Sequence, residues 1–127
     1  MKTKFLDMDQ ISKLVLDAGF TGEAAATAVA IIWVESRGNV YAININDIPT
    51  SKAYLSMDIG LCQWNSYWHP DFPISSALDP RKSVERMFVY SRGGTRFNLW
   101  MAFTGKYYLK YMDYARACIA RVQGLNV

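Results

Sequence analysis

The stretch Ala24-Ala25-Ala26-Thr27-Ala28-Val29-Ala30-Ile31-Ile32-Trp33-Val34-Glu35 decides how this chain folds. Its apolar residues run all round a helical projection, and a helix without a polar face has to be enclosed by the rest of its domain. The run is about half the roughly 20 residues needed to cross a bilayer, and a carboxylate ends it. It therefore predicts a buried helix over residues 22–36, with Thr21 as its N-cap and Gly38 and Asn39 as its stop. Glu35 falls in the last turn. There the partial negative charge of the free carbonyls and the loss of water both disfavour its ionised form, so its pKa should rise. A carboxylic acid kept protonated near neutral pH is what glycosidic cleavage requires, because the departing sugar oxygen must receive a proton. The plainer alternative is a solvent-facing glutamate that happens to end a helix.

Upstream, Asp7 and Gln10 form a capping-box pair, and Ile11, Leu14, Val15 and Ala18 share one helical stripe before Gly19. Downstream, the helical period vanishes over residues 41–61. Ile43 and Ile45 alternate with Asn44 and Asn46, and residues 47–52 form a polar turn around Pro49, which predicts a small irregular β-hairpin. Asp79-Pro80 is an N-cap followed by a first-turn proline; Val84, Met87, Phe88 and Ser91 keep helical spacing until Gly93-Gly94. A short helical turn is expected over residues 99–103 and a last long helix over residues 105–123. The outcome is a predominantly helical α+β fold in a single domain over residues 1–127, without repeats.

Composition narrows the function classes. With 127 residues, 51% hydrophobic and 20% charged, the chain can bury enough apolar surface to offset the entropy of ordering it. The net charge of +3 leans towards an anionic partner. Cys62 and Cys118 each lie among apolar residues and are expected to be two buried free thiols, leaving stability to packing. One histidine, His69, and two scattered cysteines make no familiar zinc site; there is also no glycine-rich phosphate loop and no Gly-x-Ser-x-Gly elbow, so no metal or cofactor is expected. A helix-turn-helix module over residues 11–35 would need a basic recognition helix, and this one is built of Ala, Val and Ile. No nucleic-acid partner is expected. Residues 1–10 carry Asp7 and Asp9 where a secretory signal would need its apolar core.

The second chemically suggestive stretch is Ser56-Met57-Asp58-Ile59-Gly60-Leu61-Cys62-Gln63-Trp64-Asn65-Ser66. It joins a carboxylate to a glycine turn and to amides, and amides suit sugars because each both donates and accepts hydrogen bonds. Asp58 is a candidate nucleophile or electrostatic partner to Glu35, or else a turn-forming aspartate. Trp33 and Trp100 are expected in the core. Arg81, Lys82, Arg86, Arg92 and Arg96 read as a solvated face or, if functional, as a surface for anionic polymers.

Glu35-Ser36-Arg37-Gly38-Asn39, with Ala42 and Asn44 and with the run from Ser56 through Tyr67-Trp68, resembles the active-site stretch of the lysozyme superfamily. It is similar both to chicken-type lysozymes, which place an aspartate where Asp58 stands, and to lysozyme-like domains of bacteriophage tail proteins. A fainter likeness runs through Asp79-Pro80, Gly93-Gly94, Trp100 and Gly105-Lys106-Tyr107. The resemblance implies a lysozyme-like fold whose hairpin forms one wall of a cleft with Glu35 at its back. It implies cleavage of the β-1,4 link between N-acetylmuramic acid and N-acetylglucosamine, with Glu35 as the acid and Asp58 as the second carboxylate. Ser36, Asn44, Gln63, Asn65, Trp68 and Tyr107 would then meet the substrate. Residues 48–54 lengthen the hairpin relative to the chicken-type one, and that branch's disulfides are absent. The alternatives are a lytic transglycosylase, which forms an anhydro product with the glutamate alone, and an inert wall-binding virion protein. The expected setting is a bacteriophage protein, carried in the virion or released at lysis, with peptidoglycan and other virion proteins as partners and no membrane span.

Overall fold

The structure, a computed structural model, describes residues 4–124; the first three residues of the 1–10 segment lie outside them. Helix α1, Met8–Ala18, starts at the predicted capping box, in which the Asp7 carboxylate accepts from Gln10 N at 2.8 Å and Gln10 Oε1 accepts from Asp7 N at 2.9 Å. It closes on Gly19, and its Ile11 and Val15 are fully buried.

Helix α2, Gly22–Ser36, is enclosed as its composition demands: every residue from Ala25 to Ile32 is buried. That burial removes the helix-turn-helix alternative, since a recognition helix must present a free face to the groove. Short alanine side chains let neighbouring elements approach its axis from several sides. Thr21 occupies the N-cap but its side chain makes no capping bond; its carbonyl accepts from Ala25 N at 3.2 Å. The stop also differs from expectation. Arg37 already takes the left-handed cap conformation (φ 52°), one residue before Gly38 (φ 81°), with its N–H donating to Trp33 O at 3.0 Å. Its guanidinium donates to the Tyr111 hydroxyl and lies over that ring, and this contact holds the non-glycine cap in place.

The expected hairpin proves to be a three-stranded antiparallel sheet ordered β1 (Ile43–Asn46), β2 (Ser56–Ile59), β3 (Trp64–Asn65). Asn44 pairs with Asp58 and Asn46 with Ser56, while Asp58 also pairs with Asn65. Because side chains alternate, Asn44, Asn46, Ser56, Asp58 and Asn65 share one face and Ile59 and Trp64 the other. The tight turn into β3 needs Gly60 (φ 79°): a Cβ there would lie 1.9 Å from the Ala77 carbonyl oxygen.

Helix α3, Ile74–Ala77, leads into α4, Pro80–Tyr90, whose N-cap Asp79 accepts from Lys82 N at 3.0 Å. Helix α5, Met101–Thr104, matches the short turn expected there. The last long helix is shorter than predicted. Gly105 closes α5 and Lys106 turns left-handed (φ 62°), so residues Tyr107–Tyr111 form a 3₁₀ helix before α6, Met112–Val122. Helices α1, α5, α6 and the 3₁₀ segment pack around α2. Both cysteines are free and buried. Among the described residues, no helix is long and apolar enough to cross a membrane.

Candidate active site

A cleft of about 310 Å³ opens between the end of α2, the polar face of the sheet and the segment entering α5. Glu35, Asp58, Gln63, Asn65 and Trp68 all line it. Glu35 reaches it from the last turn of α2, half-buried. Loss of water on burial, and secondly the negative charge of Asp58, push its carboxyl up from the ordinary 4.5 to about 7. The two carboxylates are thus near enough to feel each other, and Glu35 holds its proton to a higher pH than an ordinary glutamate.

Asp58 sits mid-strand on the polar face, held by amides from both neighbouring strands. Asn65 Nδ2 donates to one carboxylate oxygen at 2.8 Å and Asn46 Nδ2 to the other at 3.2 Å. Both amides also donate to Ser56 Oγ, Asn65 at 3.0 Å and Asn46 at 3.2 Å. This fixes the carboxylate in position and gives each oxygen a donor. Asn46 is a member of the site that sequence reasoning missed. The signal was present, since alternation placed it two residues from Asn44 on the same face.

The remaining amides are used within the protein. Asn65 Oδ1 accepts from the N–H groups of Tyr67 and Trp68 at 2.9 and 3.1 Å, so this residue shapes the turn that carries Trp68. Gln63 lines the cleft, but its Nε2 donates to Ala42 O (3.1 Å) and Gly60 O (2.9 Å) and its Oε1 accepts from Asn44 (2.6 Å). It clamps the sheet, and a left-handed backbone (φ 55°) turns it there. Trp68, 58% exposed, has a ring face available beside the cleft.

Three residues expected at the substrate are not among those that line the cleft. Ser36 is buried, with its hydroxyl donating back to Ile32 O at 3.2 Å and accepting from Gly38 N at 3.3 Å, so it serves the helix end. Asn44 is exposed on the edge strand and braces Gln63 rather than lining the cleft. Tyr107 is exposed and outside the cleft lining, because its ring folds back over Gly105.

Trp100 is in the core, as expected, yet it also lines the cleft with Trp64, His69, Leu99 and Met101. The indole N–H groups of Trp64 and Trp100 donate to Ser83 O (3.0 Å) and Cys62 O (3.1 Å), which leaves their rings as a rigid apolar floor. Trp33 is half-buried against the core. His69 is buried edge-on against the rings of Trp64 and Tyr90, and its Nδ1 faces Arg86 Nη2 at 3.4 Å. Burial, and then Arg86, hold its pKa below the ordinary value, so it is neutral at neutral pH.

A half-buried protonated carboxyl facing a second, hydrogen-bonded carboxylate across a groove floored by tryptophan is a site suited to acid-assisted cleavage of a saccharide. No curated protein and no solved structure matches the chain. Residues 12–102, most of the chain and every residue that lines the cleft, match the model of a family described as a lysozyme-like domain. The chain therefore belongs to the lysozyme-like domain family, whose general activity is directed at peptidoglycan.

Proposed function

We propose that this protein is a muramidase that hydrolyses the β-1,4 bond between N-acetylmuramic acid and N-acetylglucosamine. The observation that carries this reading is the pairing of Glu35 with Asp58 in one cleft, the first pushed up to about 7 and the second held by Asn46 and Asn65. Protonated Glu35 gives its proton to the glycosidic oxygen as the bond from that oxygen to the anomeric carbon breaks. Positive charge then grows on the sugar ring, and the Asp58 carboxylate stabilises it by charge or by forming a covalent bond. Glu35, now ionised, takes a proton from the water that attacks the anomeric carbon, which restores the acid and yields a reducing end.

Asp58 favours hydrolysis over a transglycosylase route that needs only the glutamate. Mass spectrometry of digested peptidoglycan separates the two, because a hydrolytic product carries one water more than the anhydro product. Reducing-end products, lowered about a thousandfold by Glu35→Gln, are expected. Anhydro products would overturn the hydrolase, and absence of any cleavage by the folded protein would overturn the enzyme.

A further inference from the structure

The basic residues of the 81–96 stretch separate in space. Arg81 faces Asp17 at 3.8 Å, and Arg86 is paired with Asp71 at 3.2 Å and boxed by the rings of Trp64, Phe72 and Tyr90. Arg92 and Arg96 have no ion pair among the described residues, and together with Tyr90, Asn98 and Leu99 they line a second hollow of about 330 Å³. That volume is at the lower end of ligand sites. The hollow adjoins the catalytic cleft: Leu99 lines both, and the Tyr90 ring stands edge-on against Trp64 (5.5 Å) and His69 (5.1 Å), which line the cleft from the other side.

The loop that carries the two arginines is tightly built. Buried Ser91 receives Gly94 N on its hydroxyl at 3.0 Å, and its carbonyl receives Thr95 N and Arg96 N at 2.9 and 2.8 Å. Arg92 is held left-handed (φ 53°), a conformation that costs a non-glycine residue energy and brings it round beside the groove. Tyr90 Oη accepts from Arg86 at 3.1 Å, so its own O–H remains free to donate. Two guanidiniums, a phenol and an amide, with no carboxylate in the lining, form a receptor for a planar anion.

The geometry points to this hollow as the site for the carboxylates of the peptide stem borne by the muramoyl residue of a glycan lying in the cleft. The assignment rests on the glycan reading of the cleft and extends it to what the glycan carries. It is tested by binding, not cleavage. Soluble glycan oligosaccharides bearing stems, the same glycans stripped by an amidase, and glycans whose stem carboxylates are amidated are titrated against Glu35→Gln protein. They are titrated again against protein that also carries Arg92→Asn and Arg96→Gln, asparagine being chosen because it tolerates the left-handed backbone. Carboxylate stems should strengthen binding about tenfold in the first protein, with the gain eroded by salt, and should give no gain when amidated or in the arginine-free protein. An Arg92→Lys/Arg96→Lys variant should keep part of the gain and all of the thermal stability. An equal gain in both proteins, or no gain or no binding of stem-bearing glycan by the first, overturns the assignment. Since cleavage by Glu35→Gln protein is negligible during a titration, a stem preference in a chain whose wild type cleaves nothing would sink the muramidase alone, and cleavage without stem preference would sink the hollow alone.

Discussion

Glu35→Gln keeps the size of the side chain and removes its ionisation, so it measures what the cleft costs the folded protein. The folded-state pKa is about 7 against an ordinary 4.5. Between those values the folded chain holds a proton that the unfolded chain has released, and linkage makes stability fall as pH rises through that window. Below about pH 4.5 the group is neutral in both states and costs nothing; above about 7 the loss is complete. At about 1.4 kcal/mol per pH unit, the span comes to about 3 kcal/mol, an upper value because the open mouth of the cleft lets water screen the charge. Glutamine suffers no such loss, so the variant should match the wild type at pH 4.5 and outlast it at pH 8. For a chain of this length that is a gap of about 10 °C in Tm. Thermal melts of both proteins across pH 4.5–8.5, followed by circular dichroism, give the difference directly. Parallel curves across that range would mean that Glu35 ionises as it does in open water, and the acid role would fall with it.

The same titration sets the pH profile of cleavage: the rate should decline about tenfold per pH unit above about 7, as the acid loses its proton, which initial rates on wall fragments will show. Asp58→Asn should lower the Glu35 midpoint yet leave it above 4.5, because burial is the larger cause and the aspartate charge the smaller; NMR titration of the Glu35 carboxyl carbon reads this, and an unmoved midpoint would show that the two groups do not communicate. Gly60→Ala should destabilise the fold by about 3 kcal/mol or more, seen in urea unfolding, since the new methyl would sit 1.9 Å from a carbonyl oxygen in a backbone already at φ 79°.

Local rules carry much of this structure. The capping box at Asp7 and Gln10, the N-cap at Asp79 and the all-round apolar character of α2 each act within a few residues, so the helices that depend on them were legible from the sequence. Boundaries set by distant contacts were not. Arg37 caps α2 because Tyr111, far along the chain, receives its guanidinium, and the third strand is two residues long, too short to show a period. The same division runs through the site.

Residue types alone marked Glu35 as an acid at a helix end and Asp58 as a carboxylate among amides, because the chemistry of a side chain travels with its identity. Which amide holds Asp58, which one clamps the sheet, and which arginines remain free depends on where other chain segments stop. Asn46 and Asn65 converge on Asp58 only through strand register, Gln63 is claimed by carbonyls at Ala42 and Gly60, and Arg86 is consumed by Asp71 while Arg92 and Arg96 are not. Side-chain identity established that an acid and a second carboxylate existed; folding brought them into one cleft and fixed their partners, because hydrogen-bond capacity is finite and proximity decides how it is shared.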